Sequence, residues 1–188
     1  MFHPMRRKRQ ELTKEMTEEI LHRNTAGILA LAGDEEFPYA VPISYVYDGT
    51  HIYFHTAVTG HKVDALRQNP NVSFAVIDRD EIIPEKYTTA YRSVVVFGRI
   101  RFIEDDAEKR ETARTLALKY APHNTEEQHT RAIDGAWKGF HMLEMTIVHI
   151  TGKQGKNSSE KNNEQQKEQP HDDCSFSMKN FTPQHSAR

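Results

Sequence analysis

Apolar and polar residues alternate along much of this chain in short runs, which is the pattern of β-strands. These runs are rich in β-branched and aromatic residues, and most are bounded by Gly, Pro, Asn or Asp. The six runs cover residues 26–32, 37–47, 51–57, 72–78, 93–103 and 143–150. Asp48 and Gly49 separate the second run from the third, and this pair predicts a hairpin between antiparallel strands. Pro42 lies inside the second run and cannot donate to a ladder, so it predicts an edge, a bulge or an interruption.

Four other segments place apolar residues three or four positions apart, which is the spacing of one face of a helix. They cover residues 13–23, 61–69, 105–120 and, less regularly, 125–137. Residues 79–91 are mostly polar and contain Pro84, so we predict a loop there. Six strands with few helices predict a mainly β (α+β) fold, an antiparallel barrel with peripheral helices.

The two ends of the chain differ in composition from its middle. Residues 1–11 form a polar, basic arm, and residues 12–154 are apolar enough to bury the core of a single domain. No apolar residue occurs between positions 155 and 173, so this segment cannot bury enough surface to offset its ordering entropy. We therefore predict a polar, disordered tail over residues 155–188.

Charge and cysteine content exclude several classes of protein. The formal net charge of −2 gives no global field that would attract nucleic acid. The one cysteine, Cys174, excludes a disulfide framework within the chain and fits a reducing compartment. No apolar run approaches the roughly 20 residues of a membrane span, and no apolar segment follows the basic residues 6–9 as in a secretory signal. These features predict a cytoplasmic protein.

The stretch from residue 51 to residue 62 carries the clearest chemical signal. Its first half alternates as a strand, and its second half opens a short helix. Thr59 is expected to cap this helix, and Gly60 lets another group approach the backbone closely. Free backbone amides, the positive end of the helix dipole and the charge of Lys62 would together favour an anion. A phosphate is the natural candidate.

Metal and hydrolase chemistry are less well supported. His51 and His55 share one face of a strand, but strand positions four apart are separated by about 13 Å, too far for one ion unless the strand bends. The chain contains no G-x-S-x-G and no G-x-G-x-x-G motif. We therefore predict no metal site, and neither a nucleophilic hydrolase nor a dinucleotide loop.

Residues 55–62, HTAVTGHK, resemble the flavin-phosphate segment of the pyridoxamine 5′-phosphate oxidase-like FMN-binding split barrels. Thr56 and Lys62 stand at the threonine and the lysine of that family's segment. The family's tyrosine, serine and arginine are replaced by two histidines and a glycine, which resembles the branch of the nitroimidazole-resistance (Nim) proteins. The run GHK-x3-L-x2-NP-x-VSF and the later ITGK are also similar to the family, and the resemblance covers roughly residues 6–153.

The resemblance implies a six-stranded antiparallel split β-barrel that holds FMN at the interface of a homodimer. It implies that His55 is catalytic and that the partner's flavin is reached by Arg92 and Ser93. The residues it implies for cofactor binding are Val41, Pro42, Ile43, Ser44, His55, Thr56, Ala57, Thr59, Gly60, His61, Lys62, Arg92 and Ser93.

The activity implied by the resemblance is that of an FMN-dependent oxidoreductase. It would reduce a small electrophile such as a nitro compound, with NAD(P)H as a possible electron donor. The alternative is a split barrel that binds flavin or haem without fast turnover. A genuine pyridoxamine phosphate oxidase is not expected, because the C-terminal Arg- and Trp-containing substrate segment of that enzyme has no counterpart here.

Overall fold

A computed structural model describes residues 2–156 of the chain, and this part contains seven β-strands and four α-helices. The strands are β1 (Ala26–Ala32), β2 (Pro38–Ser44), β3 (Val46–Tyr47), β4 (His51–Ala57), β5 (Asn71–Ile83), β6 (Thr88–Phe102) and β7 (Phe140–Gln154). The helices are α1 (Lys14–Arg23), α2 (His61–Gln68), α3 (Asp106–Tyr120) and α4 (Glu126–Ala136). The predicted fold class, a mainly β protein with peripheral helices, is confirmed.

All seven strands belong to one antiparallel sheet in the order β2-β1-β5-β6-β7-β4-β3. The first and last strands of this order are consecutive in the chain, since only Tyr45 separates β2 from β3. Successive Cα atoms are 3.8 Å apart, so the two edges of the sheet must approach each other at Tyr45. The sheet therefore curls into a barrel whose seam lies at this residue.

The seam is the reason the sequence predicted six strands and the structure has seven. Residues 37–47 look like one strand, but Tyr45 leaves the ladder and turns its ring into the core, where it is fully buried. Its hydroxyl donates to the carbonyl oxygen of Leu21 at 2.8 Å. Pro42 lies opposite Ile28 on the edge strand β2, which is one of the positions its missing N–H predicted.

The predicted loop over residues 79–91 is wrong. β5 and β6 continue past the barrel as a long two-stranded arm, in which Arg79 pairs with Arg92 and Ile83 pairs with Thr88. The arm turns at Pro84–Lys86, so the proline marks the turn alone and not a whole loop. Polar side chains did not prevent strand formation here, because pairing uses the backbone and both strands are already aligned in the barrel.

Two apolar clusters hold the domain together. The larger one fills the barrel and includes the edge-to-face rings of Phe54 and Phe74, whose centroids are 5.2 Å apart. The smaller one lies on the other side of β4 and β7, where α3 and α4 cover residues such as Tyr53 and Met142. The face of β4 that lies away from the barrel interior is thus partly covered by helices.

The N-terminal arm, residues 2–11 of the described part, lies against the sheet. The ring of Phe2 stacks on His149 with centroids 4.6 Å apart. The backbone of Glu11 pairs with that of Lys153 in an isolated antiparallel β-bridge. The predicted disordered tail lies outside the described residues, apart from Gly155 and Lys156. Within residues 2–156, no helix has the length and apolar character needed to span a membrane.

Candidate functional site

The junction between β4 and α2 is the predicted anion site, and the structure corrects one part of that prediction. Gly60, and not Thr59, is the residue that precedes the helix, and no side chain caps it. Gly60 adopts a φ of 120°, which is costly for any residue with a Cβ atom, and its carbonyl oxygen accepts from Val63 N at 2.8 Å and Asp64 N at 3.1 Å. The amides of His61 and Lys62 therefore stay outside the helical hydrogen bonds, as those of a first helical turn do.

Lys62 is partly buried beside this helix start, and burial lowers the pKa of its ammonium group. No carboxylate of residues 2–156 forms an ion pair with it. A partly desolvated cation without an acidic partner gains when an anion binds, because the anion restores the interactions that water would otherwise supply.

His55, at the end of β4, lies close enough to Lys62 for the lysine charge to affect its pKa. Partial desolvation lowers the pKa of its imidazole, although the residue is exposed by surface area, and the positive charge of Lys62 lowers that pKa further. The neutral form of the ring therefore predominates at pH 7, because its pKa lies below the ordinary histidine value of 6.5. His55 is thus suited to hydrogen bonding and is not a resident cation.

His61 is held by two contacts that the sequence did not indicate. Its ring stacks on Tyr39 of β2, with centroids 4.2 Å apart and planes 18° apart, and its Nε2 lies 3.3 Å from Asp34 Oδ2. The side chain therefore packs against β2, and the backbone amide of His61 is the group available at the helix start. These contacts tie the start of α2 to β2, the strand that carries the predicted cofactor-binding residues Val41–Ser44.

The segment Val41–Ser44 lies on β2, which is an edge strand and hydrogen-bonds only to β1. Alternate backbone groups of an antiparallel edge strand point away from its neighbour and are free for a ligand. The side chain of Ile43 is buried and Val41 packs on the core, so their backbones are the available groups. Ser44 is half-buried and shares a cavity wall with His55.

Thr56 and Ala57 differ in how accessible they are to a ligand. Thr56 is buried among the barrel residues, whereas Ala57 is exposed next to the helix start. A ligand at the junction would therefore meet the backbone of Thr56 and not its hydroxyl.

Arg92 and Ser93 are not brought to this junction within one chain. They lie on β6, which is separated from β4 by β7. The guanidinium of Arg92 is held by Asp78, with Nε 2.5 Å from Oδ2. Ser93 is half-buried on the outer surface of the sheet, in register with Ile77. Their predicted contact with a partner's flavin stays a prediction.

Next to the junction, α3, α4 and the sheet line an open cavity of about 390 Å³. His55, Tyr120, Ala132 and Ala136 on its wall are exposed. Its wall includes Ser44, His55 and Tyr120, and most of the rest is apolar. Sequence reasoning assigned the α3 residues to an ordinary core stripe and did not predict a cavity. The signal available was the repeated alanine at a spacing of four on both helices, because such small side chains leave the space beside them unfilled.

Among residues 2–156, no three histidine, cysteine or acidic side chains are placed to hold a metal ion together.

Comparison with known proteins places this chain in a family. The family model described as "Pyridoxamine 5′-phosphate oxidase" matches residues 13–154. An uncharacterized protein from Rhizobium meliloti (strain 1021) is 30% identical over 88 residues, which is 47% of this chain. The match spans 53% of that curated relative, about half its length.

Two solved structures illustrate the likeness of the fold. A candidate 5-nitroimidazole antibiotic resistance protein from Bacteroides thetaiotaomicron is 22% identical with a TM-score of 0.62, covering 76% of this chain and 85% of its own. A protein from Mycobacterium smegmatis, described as binding FAD and heme, is 20% identical with a TM-score of 0.62, covering 79% of this chain and 74% of its own.

Proposed function

Because this chain belongs to the pyridoxamine 5′-phosphate oxidase family, we propose that it is an FMN-dependent oxidoreductase that reduces a small electrophile such as a nitro compound. The observation that carries the proposal is the junction of β4 and α2. Within residues 2–156, Lys62 has no acidic partner there, and the backbone amides of His61 and Lys62 lie in the first helical turn after Gly60. The structural relatives named above support the proposal, since one is described by nitroimidazole resistance and another by FAD and heme binding.

The residues present fit a flavin phosphate. A Cβ atom on Gly60 would meet no heavy atom within 4 Å, so there is open space directly over the helix start. The amides of His61 and Lys62 would donate to phosphate oxygens there, and the ammonium group of Lys62 would add a charge-assisted bond. The free edge of β2, from Val41 to Ser44, would donate to and accept from the polar edge of the ring.

When bound, the flavin supplies the two-electron transfer, which no side chain of this protein can supply. The role of His55 follows from its neutral imidazole, which has an N–H available at pH 7. In this position it would donate a hydrogen bond to the oxygen of a substrate as negative charge develops there. Ser44, on the same cavity wall, would help orient that oxygen.

The function is tested on the purified protein by identifying its chromophore. We expect the absorption spectrum of an oxidised flavin, with a released cofactor of the mass of FMN. Nitro compounds should accelerate the oxidation of NAD(P)H by the loaded protein. A spectrum of haem alone, or a flavin that is never re-oxidised by nitro compounds, would contradict the oxidoreductase and favour the binding protein without fast turnover.

We further propose that two chains share the flavin in a homodimer. The outer surface of β1, β5 and β6 exposes Ile28, Ile77 and Phe97, and Ile77 is 60% exposed. Apolar side chains grouped on one sheet face are typical of an interface. Ser93 lies in register with Ile77, so a partner seated on this surface would bring its flavin towards Ser93.

Light scattering should therefore give twice the mass of one chain. Ile77→Asp should shift the protein to monomers and release flavin, because it buries a charge against an apolar surface. Ala107→Asp, which adds the same charge at an exposed position of α3, should leave the dimer intact. A monomeric wild-type protein that keeps its flavin would contradict the shared site.

A further inference from the structure

Three basic side chains gather where β7 begins, next to the junction of β4 and α2. His141 lies on β7 in register with Thr56 of β4. Arg67 lies in the last turn of α2, and Lys109 lies near the start of α3. This group, Arg67, Lys109 and His141, is called the basic rim. None of its members belongs to the residues assigned to the flavin phosphate.

Aromatic and backbone groups hold the side chains of the basic rim in position. The guanidinium carbon of Arg67 lies 5.7 Å from the ring centroid of Phe102. The rings of Phe102 and His141 meet edge to face, with centroids 5.3 Å apart. Lys109 Nζ lies 4.3 Å from the ring centroid of Trp137 and donates to the carbonyl oxygen of that residue at 2.8 Å. These partners are all uncharged, so they orient the two cations without neutralising them.

The basic rim therefore carries positive charge without a balancing carboxylate. Within residues 2–156, no carboxylate forms an ion pair with Arg67, Lys109 or His141. Partial burial lowers the pKa of His141 most, and the charges of Lys109 and Arg67 lower it further, against a hydrogen bond with the backbone of Val58 that raises it. Like charges held close together repel one another, and an anion bound among them would replace that repulsion with attraction.

A phosphate monoester matches the basic rim in charge and in geometry. It carries about −1.5 to −2 at pH 7, which balances the two cations. Arg67 is exposed, and its planar guanidinium can donate to two phosphate oxygens at once, while Lys109 supplies a point charge. Val58 touches the basic rim and is only three residues from His55, about 10 Å of extended chain. A ligand of dinucleotide size can therefore reach the candidate site and the basic rim together.

We propose that the basic rim binds the 2′-phosphate of NADPH and makes NADPH, and not NADH, the preferred electron donor of this protein. The two donors differ only in this phosphate, so the residues that contact it decide between them, as an arginine does in other NADP sites. The inference rests on the proposed function in one respect, since it takes the oxidoreductase to draw its electrons from a nicotinamide donor.

The test compares adenosine 2′,5′-bisphosphate with adenosine 5′-monophosphate, which have the same nucleoside and 5′-phosphate and differ in the 2′-phosphate alone. Binding to the purified wild-type protein is measured by titration calorimetry at pH 7. The buffer contains excess FMN, so that the junction at Lys62 is occupied and does not take up the nucleotide. We expect the bisphosphate to bind at least about tenfold more tightly than the monophosphate.

Two arginine variants locate the 2′-phosphate. Arg67→Gln keeps a long polar side chain at an exposed position and removes the charge, so the affinities for the two nucleotides should come within about threefold of each other. Arg131→Gln is the matched control. Arg131 is exposed on α4 and pairs with Glu127 of the same helix, so its replacement should leave the preference for the bisphosphate unchanged.

The ring of His141 supplies a second measurement that needs no variant. A phosphate bound beside it favours the imidazolium form, so NMR titration should show a higher pKa for His141 with the bisphosphate bound than with the monophosphate bound. An unchanged pKa of His141 in the saturated bisphosphate complex would show that the 2′-phosphate lies elsewhere, and would overturn the assignment.

The outcomes separate this inference from the proposed function. Equal affinities of the wild type for the two nucleotides, or a preference that Arg67→Gln retains, overturn the inference, even where nitro reduction is observed with either donor. A preference that depends on Arg67 in a protein that binds no flavin supports the basic rim as a phosphate site and leaves the oxidoreductase refuted.

Discussion

Replacing Asp78 with alanine should lower the free energy of unfolding by about 3–5 kcal/mol, because it leaves a buried positive charge without its partner. The side chain of Asp78 is 3% exposed, and two arginines reach it from different elements. Arg92 Nε lies 2.5 Å and Arg23 Nη2 lies 2.6 Å from Oδ2, and Asn24 donates to Oδ1 at 2.8 Å. The side chain of Arg92 is only 14% exposed and would lose this carboxylate altogether.

Urea unfolding at pH 7 measures the effect. Asp134→Ala is the control, since it removes a carboxylate from the exposed pair with Arg110 and should change stability by about 0–1 kcal/mol. Burial alone would raise the pKa of Asp78, but hydrogen bonds from Arg23, Asn24 and Arg92 outweigh it and lower that pKa. The stabilisation is therefore present above the unfolded pKa of about 3.9 and is lost as the pH falls through the lower folded value. A variant as stable as wild type at pH 7 would show that Arg92 finds water or another partner.

Replacing Lys62 with methionine should weaken FMN binding by roughly tenfold to over a hundredfold while the barrel stays folded. A charge-assisted hydrogen bond of this kind contributes about 1.5–3 kcal/mol. The amides of His61 and Lys62 remain in the variant, so binding should weaken and not vanish. Methionine replaces the aliphatic stem of lysine, so the partly buried chain keeps its packing.

Two comparisons isolate the phosphate interaction. Riboflavin, which lacks the phosphate, should bind wild type and Lys62→Met about equally, and Lys138→Met at an exposed position should bind FMN like wild type. NMR titration of the same Lys62 variant should show a raised pKa for His55, because the like charge that lowers it is gone. That pKa should stay below 6.5, since burial is the larger cause. Equal FMN dissociation constants for wild type and variant would contradict the prediction that this junction binds the FMN phosphate.

The sequence pattern predicted those elements whose signals are local. The pair Asp48 and Gly49 predicted the hairpin of β3 and β4, and this hairpin is confirmed. The segment after Pro122 looked irregular, yet Thr125 and Gln128 form a capping box that starts α4. Such signals act over a few residues and can be read from the chain alone.

Features that depend on distant residues were missed or misplaced. The open cavity beside His55 is lined by Ala113, Ala117, Ala132 and Ala136, which look like any helix stripe in the sequence alone. The stacking of His61 on Tyr39 joins two elements, α2 and β2, that are separated by the hairpin of β3 and β4.

The predicted N-cap of α2 was wrong by one residue. Thr59 has the better capping side chain, but this position requires the positive φ that Gly60 adopts.

The seam at Tyr45 has a consequence for the order in which this protein folds. Its backbone amide and carbonyl are held by the hydroxyl of Tyr120, 75 residues further along the chain, and Lys119 lies 4.3 Å over its ring. β4 finds its other neighbour still later, in β7. Contacts between residues so far apart pay a high entropy of loop closure and form slowly. On the ribosome, the first four strands therefore form two separate hairpins, β1–β2 and β3–β4, which can join one sheet only after β5, β6 and β7 have been made. The barrel closes as one of the last steps of synthesis.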